Sequence, residues 1–421
     1  MQWLTPLFVF AIVAETLTRL WLSSRQIAAV RAHRDRVPEP FQGQVELADQ
    51  QKAADYTVAR ARLGRVDTVF DAVVRLIFTL GGGITAIDAA WSRAGLDQPW
   101  HGALVIATVL LVLMVLNLPF SLWRTFKIEA QFGFNRMTPA LFAMDLAKGL
   151  VLGVLLGGPV VLGALVLMER GGALWWLYAW IGWTLFSLAL TWAFPRFIAP
   201  LFNRFTPLSD EALKKRVETL LERTGFTSKG VFVMDGSRRS AHGNAYFTGV
   251  GRNKRIVFFD TLLERLGAAE VEAVLAHELG HFRLRHIRQR IVVSLVTSLV
   301  ALAIIAWLAR EPGFYGALGV STPSPHAALL LVMFVAPAFT YFITPLAAWW
   351  SRRHEFEADD FAARHSDAAA LAEALVKLYR ANASTLTPDA LHSAFYDSHP
   401  PALVRIARLE QRAARPLAAR A

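Results

Sequence analysis

The run Val274-Leu275-Ala276-His277-Glu278-Leu279-Gly280-His281 sets two imidazoles four residues apart with a carboxylate beside the first. In a helix of 3.6 residues per turn, positions i and i+4 stand one above the other on one face. His277 and His281 then offer ring nitrogens to a single tetrahedral metal ion. Glu278 is placed to polarise a water held by that ion, which is the chemistry of metal-assisted hydrolysis. The chain has no cysteine, so disulfides and thiolate ligands are excluded and any further ligand is His or carboxylate.

A catalytic zinc site takes three protein ligands and leaves one position open. The third candidate is Glu355, in Ser351-Arg352-Arg353-His354-Glu355-Phe356-Glu357-Ala358-Asp359, just beyond an apolar hairpin that returns the chain to the side where the His277 helix ends. Asp359 lies one turn on and is placed to accept a ring N–H from a ligand histidine, fixing its tautomer. Glu357 is a rival ligand without an acid four residues further on. His286, His354 and His365 read as surface or interfacial residues. The expectation is one Zn2+ per chain on His277, His281 and Glu355.

The elements that must position these groups are mostly apolar. Of 421 residues, 54% are apolar and 18% charged, and the charges are segregated between long apolar runs, as in a membrane protein. The net charge of +11 raises nucleic acid as a partner, but basic residues collect in cytoplasmic loops of membrane proteins, and none is expected. Seven spans are predicted near residues 3–22, 67–90, 101–123, 139–168, 174–199, 288–309 and 327–350, each long enough for a hydrocarbon core. The first lacks a basic start and is interrupted by Glu15 and Arg19, so it reads as a retained helix. Lys and Arg concentrate in 23–65, 124–136 and 201–287, which puts the N-terminus outside and the hydrophilic block in the cytoplasm, in the inner membrane if the source is bacterial.

The predicted fold is therefore an all-α polytopic membrane protein with a cytoplasmic, mostly α metalloprotease domain of zincin type holding a small antiparallel sheet. The expected organisation is 1–200 (five membrane helices and the polar loop 23–65), 201–286 (first part of the zinc domain), 287–350 (two further membrane helices) and 351–421 (its second part).

Within the membrane, Arg75, Asp145 and Lys148 should pair or line a polar interior, and Asp145 and Lys148 are spaced to pair directly. Gly149, Gly153 and Gly157 read as a close helix contact, and Trp175, Trp176, Trp180 and Trp183 as an interfacial belt. Ser209 reads as a helix N-cap. Strands are predicted at Val231–Met234, 245–249 and 256–259, the last two joined by a turn at 251–254. Asn244, Ala245, Tyr246 and Phe247 form either an edge that binds an extended peptide by strand addition or a plain structural hairpin.

The HELGH run at 277–281, the membrane hairpin and the E-F-E-A-D run at 355–359 together resemble the zinc-dependent, type I CAAX prenyl endopeptidases. Glu129-Ala130-Gln131-Phe132-Gly133-Phe134-Asn135, Ala199-Pro200-Leu201-Phe202-Asn203, Asn244-Ala245-Tyr246-Phe247 and Ser398-His399-Pro400-Pro401 with Arg405 are similar to the same family, over nearly the full chain. The resemblance implies seven helices around a water-filled chamber closed by the zinc domain, and cleavage after a lipidated cysteine near a substrate's C-terminus. It also implies that His399 and Arg405 stand near the zinc and stabilise the oxyanion. The expected partners are a peptide or protein substrate, lipidated by this resemblance, and the lipid bilayer. One rival is a membrane quality-control protease acting on unprenylated proteins, against which seven spans and the 23–65 loop argue. The other is a binding protein with a vestigial site, against which the intact ligand set argues.

Overall fold

The structure, a computed structural model, describes residues 1, 3–248 and 255–414. Helix α1 (Leu4–Ala32) outruns the first predicted span, and α2 (Leu47–Phe78) breaks at Thr79–Gly82 before α3 (Gly83–Ser92), bent by 49°. The predicted second span is thus a broken one. Helices α4 (Trp100–Glu129), α5 (Pro139–Arg170), α6 (Gly172–Phe202) and, after the first catalytic segment, α9 (His286–Leu308) are each long and apolar enough to cross a membrane. So is the last pair, α10 (Pro325–Thr340) running through one short turn into α11 (Thr344–His365).

Apolar packing joins only part of this bundle. Phe8, Ile12, Val105, Val109, Leu331 and Phe334 form a core between α1, α4 and α10. In α5, α6 and α9 few side chains are buried, so these helices touch the core only locally, α5 through Leu165, and α6 meets α9 where Trp180 Nε1 donates to the Leu295 carbonyl at 3.0 Å. The ionisable groups inside the membrane are paired. Arg75 bonds Glu15 at 2.9 Å and also meets Asp71, and Arg19 bonds Glu15 at 2.7 Å. Asp145 does not pair with Lys148: it takes both forks of Arg239 at 2.8 and 3.0 Å, while Lys148 donates to the Leu201 carbonyl at 2.7 Å. The fork geometry of arginine suits a carboxylate better than a lysine three residues away. Nor do Gly149, Gly153 and Gly157 mediate a close contact, since a Cβ on any of them would meet nothing within 4 Å.

The hydrophilic segments build a second core at one end of the bundle. It contains α7 (Glu211–Arg223), α8 (Ala268–Arg283), α12 (Ala368–Ala381) and α14 (Ala402–Ala413), while α13 (Ala390–Tyr396) lies against α11. The α7 cap is Asp210 rather than Ser209, its carboxylate accepting from Leu213 N at 2.9 Å. Val217, Leu220, Leu275, Leu279, Leu371, Ile406 and Leu409 share this core with Phe41 and Val45 from the polar loop, so segments before and after the last membrane hairpin fold as one unit. Its sheet has four strands, β1 (Phe205–Pro207), β2 (Val231–Met234), β3 (Ala245–Thr248) and β4 (Arg255–Phe259), in the order β1-β2-β4-β3. β2 pairs with β4 in parallel, so the sheet is mixed and not antiparallel as expected. The predicted turn at 251–254 lies outside the described residues. β3 is an edge strand.

Candidate metal centre

Helix α8 begins at Gly267, whose N–H donates to the Glu270 carboxylate at 2.7 Å and so satisfies one of the free donors of the first turn. Val271, Leu275 and Leu279 bury one face. The opposite face carries His277 and His281, and their Nε2 atoms lie 3.3 Å apart.

The third group arrives through a close helix crossing. A Cβ on Gly280 would stand 3.0 Å from Ala358 Cα and 3.1 Å from both the Ala358 oxygen and Phe361 Cβ, so only glycine lets α11 lie this near. The crossing sets Glu355 Oε2 at 3.4 Å from His277 Nε2 and Oε1 at 3.3 Å from His281 Nε2. A tetrahedral ion with bonds of about 2.0–2.1 Å needs ligand atoms about 3.3 Å apart. The separations are close to that edge, with the carboxylate meeting each imidazole through a different oxygen, and the donor set of two imidazoles and one carboxylate fits such an ion.

Around the triangle the polar contacts fix orientation. Asp359 Oδ1 lies 2.8 Å from His277 Nδ1, which holds a ring proton on Nδ1 and makes Nε2 the nitrogen that an ion would take. Arg405 donates from Nε and Nη2 to Asp359, both at 2.7 Å. Its Nη2 also lies 3.1 and 3.2 Å from His277 Nδ1 and Nε2 and 3.7 Å from Glu355 Oε2, so the buried guanidinium stands beside the ligand set, near the zinc position that the family resemblance implies. Burial and the Arg405 charge oppose protonation of His277, but Asp359 and Glu355 outweigh them and raise the imidazole, free of metal, to about 9. His399 Nδ1 donates to Glu355 Oε2 at 2.7 Å, and its side chain is 61% exposed. Glu278 lies on the same turn, partly buried, and among the described residues takes no hydrogen bond or ion pair.

Glu357 points away from the triangle, accepting from His286 at 3.0 Å and Arg353 at 3.1 Å. Two groups that read as peripheral in the sequence are buried: His286, 1% exposed, and His354, stacked on it at 4.0 Å. His365 stacks on Phe361 away from the site. No spacing rule reaches His286, because Arg285 turns through φ 62° between α8 and α9 and breaks the helical register.

Strand β3 packs against α8. Asn244 O accepts from Phe259 N, so alternation in the antiparallel pair leaves the backbone groups of Ala245 and Phe247 on the outer edge. Ala245 N donates to the Asn244 side-chain oxygen at 2.8 Å, Tyr246 Oη lies near Met234 Sδ, and Phe247 packs edge-on to Phe226.

Residues 207–413 match peptidase family M48, and residues 26–204 match the CAAX prenyl protease N-terminal region with five membrane helices. The chain belongs to peptidase family M48. As an M48 metallopeptidase it is a multi-pass membrane protease with a metal cofactor. It is 31% identical over 396 residues to the CAAX prenyl protease 1 homolog of Oryza sativa, covering 90% of this chain and 92% of that one. It is 32% identical over 403 residues to CAAX prenyl protease 1 of Saccharomyces cerevisiae, covering 89% and 88%. The crystal structure of S. mikatae Ste24p superimposes with a TM-score of 0.88 at 27% identity, covering 96% of this chain and 98% of that one.

Proposed function

We propose that this M48 peptidase is a zinc endopeptidase that cleaves near the C-terminus of prenylated CAAX-type peptides, with its zinc domain on the cytoplasmic face and its N-terminus outside. The observation that carries the metal assignment is the convergence of His277 Nε2, His281 Nε2 and the two Glu355 oxygens, each neighbouring pair 3.3–3.4 Å apart. Calcium, with bonds of about 2.3–2.6 Å and six to eight oxygen ligands, suits neither the edge nor the imidazoles. The Lys and Arg of the segments flanking the zinc domain support the cytoplasmic placement.

When bound, zinc supplies the positive charge that acidifies the attacking water and polarises the scissile carbonyl. Glu278 takes the proton of that water and passes it to the leaving amine. Asp359 holds His277 in the productive tautomer, and Arg405 holds Asp359 in place. His399, anchored to Glu355 through Nδ1 and otherwise exposed, and Arg405, whose Nη2 lies 3.2 Å from His277 Nε2, are the side chains able to bring donors to the oxyanion. The outward groups of Phe247 and the Ala245 carbonyl take the substrate as an added strand, lining its scissile bond along α8.

The deciding measurement compares a farnesylated CAAX peptide with its unlipidated twin, using protein carrying stoichiometric zinc. Cleavage of the farnesylated peptide at a kcat/KM at least tenfold higher is expected. Equal rates would favour the quality-control reading, and cleavage of neither would remove the substrate assignment.

A second expectation follows from the raised His277 imidazole. Below about pH 9 the metal-free site holds a proton on His277 that zinc must displace. Zinc loading at pH 7.5 should therefore release about one proton from this ring, and affinity should climb toward tenfold per pH unit up to about pH 9. Titration calorimetry in buffers of different ionisation enthalpy reads the release directly. A zinc affinity flat between pH 6.5 and 8.5 would contradict it.

A further inference from the structure

We infer that His286 and Glu357 are positioning residues for the metal ligand His281, fixing its tautomer through a chain of hydrogen bonds anchored in the two membrane helices α9 and α11. This rests on the zinc reading above.

His277 has a carboxylate of its own, Asp359. His281 has none, and its Nδ1 faces another imidazole, His286 Nδ1, at 3.0 Å. Such a contact requires one ring to donate and the other to accept. The far side of His286 settles which. Its Nε2 lies 3.0 Å from Glu357 Oε2, and a carboxylate can only accept, so the His286 proton sits on Nε2. His286 Nδ1 is then bare and accepts from His281 Nδ1–H. The His281 lone pair is left on Nε2, the atom that completes the donor triangle with His277 and Glu355. The chain Glu357–His286–His281 thus does for the second ligand what Asp359 does for the first, with one extra ring between carboxylate and ligand.

The placement of His286 is built into the backbone. Helix α8 stops at Arg283, Arg285 adopts φ 62°, and His286 opens α9 folded back beneath the His281 ring. His354 from α11 stacks flat on it, with ring planes 6° apart, and is held by Gln289 from α9 at 2.9 Å. The ring can therefore neither flip nor tilt without parting the two helices. His286, His354 and Glu357 also stand close to one another, and His354 Nδ1 is buried without a partner, but both His286 nitrogens are taken by His281 and Glu357 and His354 Nε2 is held by Gln289.

The test is zinc affinity of the full-length protein in detergent, by competition with a chromogenic chelator after metal depletion. His286→Leu should weaken zinc about 10–100-fold, the usual effect of losing such a partner. Asn and Gln place their amides near the Nδ1 and Nε2 positions respectively. His286→Asn should therefore retain affinity within a few-fold and His286→Gln should resemble His286→Leu, whereas a packing role alone would make Asn and Gln alike. Glu357→Ala, at a carboxylate 40% exposed and safe for folding, should weaken zinc several-fold, and Glu357→Gln, which keeps an acceptor, much less. The visible spectrum of the cobalt-substituted protein should shift in His286→Leu and not in His286→Asn. Wild-type affinity in both His286→Leu and Glu357→Ala, or equal loss in Asn and Gln, overturns the inference. Wild-type protein that binds no zinc overturns the proposed function instead, and this inference with it.

Discussion

Glu278→Gln should retain one zinc per chain and lose turnover by about 10³-fold, within the range general-base removal gives. The amide has the shape of the carboxylate, and Glu278 is outside the donor triangle, so neither the metal nor the packing of α8 has reason to change. What disappears is the group that accepts the water's proton, and with it the return of that proton to the leaving amine. KM for the peptide should move little, since the edge of β3 and the zinc are intact. Metal analysis beside single-turnover cleavage separates the possibilities. Zinc lost from the purified variant would mean Glu278 holds the metal, and turnover within tenfold of wild type would mean another group is the base.

Gly280→Val should abolish metal binding as fully as His277→Ala, without touching a ligand. The first added carbon already stands 3.0 Å from the Ala358 backbone, and the two methyl groups have nowhere to go. Overpacking of this kind costs about 1–3 kcal/mol in a well-packed core. Helices α8 and α11 must separate, and that moves Glu355 off an edge it needs to keep near 3.3 Å from both histidines. Gly280→Ala should give an intermediate result, with zinc bound more weakly and activity partly kept. Stoichiometric zinc in Gly280→Val would show that the crossing is not what brings the third ligand in.

The difference between His277 and His286 shows what a sequence can carry. His277, Glu278, His281, Glu355 and Asp359 are related by helical spacing within two short runs, and the apolar hairpin between the runs says they meet, so all five were legible. His286 depends on a single left-handed residue, Arg285, which no composition rule marks. Arg239 with Asp145 joins residues 94 apart, and the nearer Lys148 was the plausible but wrong partner. The parallel pairing of β2 with β4 arises because β3 returns to the outer edge, which strand propensity does not encode. Gly280 was visible as a member of the HELGH run, but its need for close approach exists only once α11 is laid across it. The spans were legible from length alone, except where α2 breaks, since the bend at Thr79–Gly82 leaves the apolar run continuous.

Helix α11 is one continuous rod of 22 residues that starts among the membrane helices and ends in the zinc domain, with Glu355 and Asp359 on its far half. Glu355 stands eleven residues beyond Thr344, a lever arm of about 16 Å at 1.5 Å per residue. A tilt of about 10° at its base would sweep the carboxylate by about 3 Å, as far as one edge of the metal triangle. Helix tilt answers to the hydrocarbon thickness of the surrounding bilayer. Lipid chain length should therefore reach the metal centre as a mechanical input, with thin and thick bilayers differing in how firmly the same protein keeps its ion.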